Sequence, residues 1–115
     1  MEVVSEQLAR YQQIIQEVLS EYAKVKPANG DFEVLTVFDT ERNHYQIVHI
    51  GWQGRRWVHH CTIHVDIRNE KFWFFQNLTE HEIEKDLMEL GVPKTDIVLG
   101  FIPESIRHMT DFGVR

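Results

Sequence analysis

RRWVHHCTIHVDI, residues 55–67, gathers three of the chain's seven histidines, its one cysteine and an aspartate into a single apolar run. Read as a helix, the run stacks His60 and His64 on one face, four residues apart. Read as a strand, it separates them by about 13 Å at ~3.3 Å per residue. The flanks decide in favour of the strand. Gln53-Gly54 precedes it and Arg68-Asn69-Glu70 follows, and short turn-forming joints of this kind connect antiparallel strands. Three more β-rich segments surround it: DFEVLTVFD at 31–39, HYQIVHIGW at 44–52 and KFWFFQN at 71–77. The centre of the chain is therefore expected to be a four-stranded antiparallel meander.

An amphipathic segment stands before the meander. Val4, Leu8, Tyr11, Ile15, Val18 and Tyr22 recur at spacings of four and three, and Ile14, Leu19 and Ala23 widen the stripe. This pattern predicts a helix over roughly residues 2–24 that lies on a sheet, ended by Pro27, Asn29 and Gly30. After the meander, Thr79 and Glu82 read as a capping box for a second helix. Ile83, Leu87 and Leu90 form its apolar face, and Gly91 ends it just before Pro93. DIVLGF then predicts a short fifth strand, and Pro103 starts a short C-terminal helix. The fold class is α+β, and 115 residues suit one domain spanning the whole chain.

Composition narrows the function. Twelve basic and eighteen acidic side chains leave a net charge of −6, so the chain gains little from counterion release at phosphates and strong autonomous nucleic-acid binding is not expected. Arg55-Arg56 beside Trp52 and Trp57 is too short to be a wider basic footprint. No apolar run approaches the ~20 residues of a membrane span, and the first residues lack a basic-then-apolar leader. A cytoplasmic protein is expected.

The strand reading also tests the histidines as ligands. His60 and His64 are too far apart for one zinc ion, whose donors each sit ~2.0–2.3 Å away. His59 and Cys61 share a face about 6.6 Å apart. If Gln53-Gly54 sets the register, Trp52 faces Arg55, His59 faces Val48, Cys61 faces Gln46 and Ile63 faces His44, which leaves His44 diagonal to Cys61. A small metal-dependent or ligand-binding enzyme built on His44, His59 and Cys61 is thus one reading. Against it, a closed four-ligand set is not visible, and a cysteine in mid-strand facing the core is poorly placed as a nucleophile. No catalytic, cofactor or metal residue is therefore assigned. The same register places Val34, Thr36, Phe38, Tyr45, Ile47, His49, Val58, His60, Thr62, His64, Trp73 and Phe75 on the second face of the sheet. Too few helical stripes exist to cover both faces. The second face is either an interface, with Tyr45, His49, His60, His64, Trp73 and Phe75 as candidate contacts, or is covered by the second and C-terminal helices.

FDTERNHYQI, GWQGRRWVHHCTIHVDI, TEHEIEKDLMELGVPKTDIVLGF and RHMTDFGV together resemble the XisI-like family, the fdxN element excision controlling factor proteins of cyanobacteria. The resemblance covers nearly the whole chain in order, and the GVPKTDIVLGF block is specific. It departs at His59-His60, Asn69-Glu70 and Ile102, where the family pattern has His-Gly, Asp-Gly and a histidine. What it implies is an α+β fold and a supporting role, beside a XisH-like partner, in programmed excision of a DNA element by a separate recombinase. The expected protein is accordingly a non-enzymatic accessory factor without a cofactor, acting through protein contacts and forming a homodimer.

Overall fold

Ser5 begins the first element of the computed structural model, which describes residues 5–24 and 31–115. Its Oγ accepts from the Leu8 amide at 3.0 Å, satisfying one of the donors that a helix start leaves unpaired. Helix α1 follows over Glu6–Ala23. The expected earlier turn at residues 2–4 and the Pro27-Asn29-Gly30 stop lie outside the described residues. Tyr11, Ile14, Ile15, Val18 and Leu19 of α1 are buried, and Leu8, Tyr22 and Ala23 pack at the margin of the core. The stripe of the sequence is thus the docking face.

Strands β1 (Asp31–Asp39), β2 (His44–Gln53), β3 (Arg56–Arg68) and β4 (Lys71–Asn77) form the antiparallel meander, and β5 (Ile97–Leu99) adds to β4 in parallel. A parallel neighbour needs a crossover, and the segment carrying helix α2 (Ile83–Glu89) supplies it. Ile83 and Leu87 of α2 join α1 over one face of the sheet, burying Tyr45, Ile47, Ile63, Val65, Ile67, Phe72, Phe74 and Ile97. Each large apolar side chain so buried stabilises the fold by about 1.5–3 kcal/mol. Tyr11 stacks on Phe72 with ring centroids 4.6 Å apart and donates its hydroxyl to Asp96 at 2.6 Å. Burial first, and the Asp96 carboxylate second, push that phenol up to about 12.

The β2–β3 register differs from the expected one. The loop is Gly54-Arg55, so Gln53 pairs with Arg56, Trp52 with Trp57 and Val48 with Cys61. Gly54, at φ +63°, takes the first loop position, where tight hairpins need positive φ. A bulge then falls between Ile47 and Val48, leaving Thr62 unpaired, and beyond it Ile47 pairs with Ile63, Tyr45 with Val65 and His44 with Asp66. The extra residue rotates β2 relative to the expected faces. Tyr45 and Ile47, expected on the second face, are fully buried beneath the helices. Val34 and Phe38 follow them by pairing with His49 and Tyr45, and pack against the core. A second bulge leaves Phe75 unpaired between Phe74 and Gln76.

Two details at α2 also differ. Its N-cap is Glu82, without a side-chain bond, while the Thr79 hydroxyl donates to Asn77 Oδ1 at 2.6 Å. With Glu82 as the N-cap, the helix begins three residues too late for a Thr79–Glu82 box. Leu90, expected on the apolar face, is exposed. Gly91 does end the helix, at φ +95°, with Val92 N–H bonded to Leu87 O and Gly91 N–H to Met88 O, the Schellman arrangement. The C-terminal helix is a six-residue 3-10 segment, Glu104–Met109. Beyond it Gly113 bridges to Val98 and donates to Ile97 O at 2.8 Å.

Two substitutions test this packing. A Cβ on Gly113 would lie 2.4 Å from the Thr95 carbonyl oxygen, so Gly113→Ala is expected to cost about 1–3 kcal/mol in urea unfolding. Asn69 and Glu70 both have positive φ, 53° and 57°, and left-handed backbone costs a side-chain-bearing residue about 1–2 kcal/mol. Glu70→Gly is expected to raise the unfolding midpoint, less whatever the Ser5–Glu70 hydrogen bond contributes.

Candidate functional site

Period-two alternation puts His64, Asp66 and Arg68 on one side of β3, and the bulged register sets His44 of β2 opposite Asp66. These four side chains meet on the face away from the helices. Asp66 lies at their centre, 1 % exposed. His44 Nδ1 and His64 Nε2 each stand 2.8 Å from its Oδ1, while Arg68 grips Oδ2 through Nε at 3.2 Å and Nη2 at 3.0 Å.

Burial alone raises the Asp66 pKa, but the hydrogen bonds from His44, His64 and Arg68 outweigh it and hold the carboxyl below its ordinary value. An ionised carboxylate only accepts, so His44 presents Nδ1–H and His64 presents Nε2–H. The Phe75 ring flanks the cluster, 5.3 Å from the His64 ring and 4.8 Å beneath the Arg68 guanidinium. Beside it a cavity of about 350 Å³ is lined by Val37, Asp39, His44, Gln46 and His64.

The candidate contacts of the sequence divide between the faces. His64, Trp73 and Phe75 do share the open face, where Arg107 of the 3-10 helix lies 5.2 Å over the Trp73 ring. That is the coverage by the C-terminal segment; α2 packs on the other face with α1. Tyr45 is corrected to the core, where burial pushes its phenol up to about 12. His49 and His60 pair with each other on the helix-bearing side, His60 exposed and His49 half-buried. Burial, then the neighbouring His60, lower the His49 pKa. Among the described residues, His49 Nε2 and Trp73 Nε1 are the buried side-chain nitrogens without a partner.

His44, His59 and Cys61 do not come together. Cys61 pairs with Val48 whereas His44 pairs with Asp66, about 16 Å further along β3. The Cys61 thiol donates to Ile63 O at 3.1 Å, and burial raises its pKa, the opposite of an activated nucleophile. Asp66 and Arg68 were missed, although HVDIR shows three polar side chains at alternate positions. Trp52 and Trp57 flank the Arg55-Arg56 pair in sequence. They form a cross-strand pair with ring centroids 5.2 Å apart, each 53 % exposed, at the hairpin end of the open face.

The cluster's electrostatics carry a pH signature. Removing the Arg68 fork leaves a buried carboxylate short of donors, so Arg68→Ala is expected to cost about 1.5 kcal/mol at pH 7. Since the folded pKa of Asp66 is depressed, the stability it contributes is present above the unfolded value of about 3.9 and is lost as pH falls through the folded one. The gap between wild type and Arg68→Ala in urea unfolding should therefore shrink on acidification below about pH 4. A gap constant down to pH 2.5 would contradict an ionised Asp66.

Residues 5–114 match the protein family described as XisI protein. A solved XisI-like protein from Anabaena variabilis ATCC 29413 is 42 % identical, with a TM-score of 0.86 over 94 % of this chain and 99 % of that one. The solved fdxN element excision controlling factor XisI from the same organism is 29 % identical, with a TM-score of 0.79 over 96 % and 100 % of the two chains. No curated protein matches. With nearly its whole length inside the family match and its fold shared by both solved proteins, the chain belongs to the XisI family.

Proposed function

We propose that this chain is a non-enzymatic accessory factor that controls excision of a DNA element by binding a XisH-like protein. The observation that carries the reading is the likeness, over 96 % of this chain, to a protein named as the fdxN element excision controlling factor XisI. Charge supports a protein partner over DNA: at −6 the chain has little to gain at a phosphate backbone. The open face supports it as well. Leu35 and Val37 of β1 and the Trp52–Trp57 pair are exposed there, and an aromatic, partly apolar patch rimmed by Arg68 and His44 has the make-up of an interface centre. A second copy of the chain would use the same face, so homodimer and XisH-like complex compete for it.

Co-expression with the XisH-like protein of the source cell, followed by affinity capture and sedimentation, tests the proposal. A stable complex is expected, weakened at least about tenfold by Trp57→Arg, because exposed tryptophans at interface centres commonly carry more than 1 kcal/mol. The variant should unfold at the wild-type denaturant concentration. Absence of a complex, together with unchanged junction formation when the gene is deleted, would refute the assignment.

A further inference from the structure

Hydrogen bonding alone does not require two imidazoles to aim at the same carboxylate oxygen. One ring nitrogen each of His44 and His64 and an Asp66 carboxylate oxygen all lie within 4.8 Å of one another, contributed by two adjacent strands with the carboxylate buried at the centre. We propose that this trio binds one divalent transition-metal ion of the zinc type, with the remaining coordination positions open to the adjoining cavity. The inference stands apart from the excision reading and does not depend on it.

Four observations support it. The donor set is the first: two imidazoles and one carboxylate suit zinc and its neighbours in the first transition row, and three protein ligands leave a position for water. Distance is the second. Donors at ~2.0–2.2 Å from a tetrahedral ion stand about 3.3 Å apart. Each imidazole nitrogen, now 2.8 Å from Oδ1, has to retreat from it by about 0.5 Å, and the widest separation in the trio, within 4.8 Å, has to close by up to about 1.5 Å. The His44 and His64 side chains, 44 % and 29 % exposed, have room to do so. Third, Arg68 holds the other carboxylate oxygen in a two-pronged grip, the kind of outer contact that fixes a ligand's direction. Fourth, the cavity beside His44 and His64, lined also by Asp39 and Gln46, has space for metal-bound water.

Proton balance is simple. Each neutral imidazole moves its proton to the other ring nitrogen, Nε2 in His44 and Nδ1 in His64, and gives its freed lone pair to the ion. Asp66 is already ionised and gives up the two imidazole hydrogen bonds.

Equilibrium dialysis of the whole chain against ZnCl₂, with metal quantified per protein, should find one retained equivalent. His44→Gln and His64→Gln should abolish it, Arg68→Gln should weaken it by about 10–100-fold, and His59→Gln and Cys61→Ala should leave it intact. Wild-type protein alone provides the second readout, independent of whether the variants fold. On titration with CoCl₂, the ring signals of His44 and His64 should broaden before those of His59, His60 and His81. No saturable retention, retention that survives the His44→Gln and His64→Gln changes, or earlier broadening of the other histidines would each overturn the assignment.

Discussion

Thr62, unpaired in the bulge opposite Ile47 and Val48, determines which side chains of β2 meet the helices. Side chains alternate with a period of two, so one extra residue in one strand exchanges faces for everything beyond it relative to its neighbour. Here the exchange brings Tyr45 and Ile47 under α1 beside Ile63 and Val65, and sets His44 opposite Asp66 on the other face. Core and polar cluster are consequently two results of one insertion. The hydroxyl of Thr62 reaches the Ile47 carbonyl at a long 3.5 Å, and its own carbonyl accepts from the Leu78 amide at 2.8 Å. The residue left out of one ladder is thereby tied to the end of β4.

The two faces use different physics. Under α1 and α2 the sheet is held by burial of aromatic and branched side chains, and the Tyr11 phenol reaches across to an acid. On the other side a buried carboxylate is offset by three donor-bearing neighbours. A carboxylate stripped of water is tolerated only when its oxygens are paired, and the two oxygens of Asp66 are divided between the imidazoles and the guanidinium. Such an arrangement keeps charge at a fixed point on a sheet face otherwise carrying Trp73, Phe75 and the Trp52–Trp57 pair.

Periodicity made most of the fold legible. The helix stripe, the four strands, the Gly91 stop and the short fifth strand follow from residue spacing and turn chemistry, because these are local signals. The register is not local. VHHCTIHV carries apolar or half-apolar side chains on both faces, so a slip of two or three residues leaves the pattern looking equally good, and a bulge leaves no mark in it. The loop placed one residue early at Gln53-Gly54 and the unforeseen Thr62 bulge account for the site errors. They put His44 opposite Ile63 instead of Asp66, and they drew Tyr45, His49 and His60 onto the interface face. Thr79 shows a related limit: a capping pattern can be present and still stand three residues ahead of the true cap of the helix it appears to start.

The bond from Tyr11 to Asp96 joins positions 85 residues apart. The hairpins between them close over two to four residues, so they form at little entropic cost, whereas fixing α1 against the far end of the sheet closes most of the chain into a loop, at a cost rising as (3/2)RT ln n. Contacts of such sequence separation slow folding. The Tyr11–Asp96 bond is therefore the costly one in loop entropy, whereas Gln12 ties the same helix to Thr40 and Asn43 across only 28 and 31 residues.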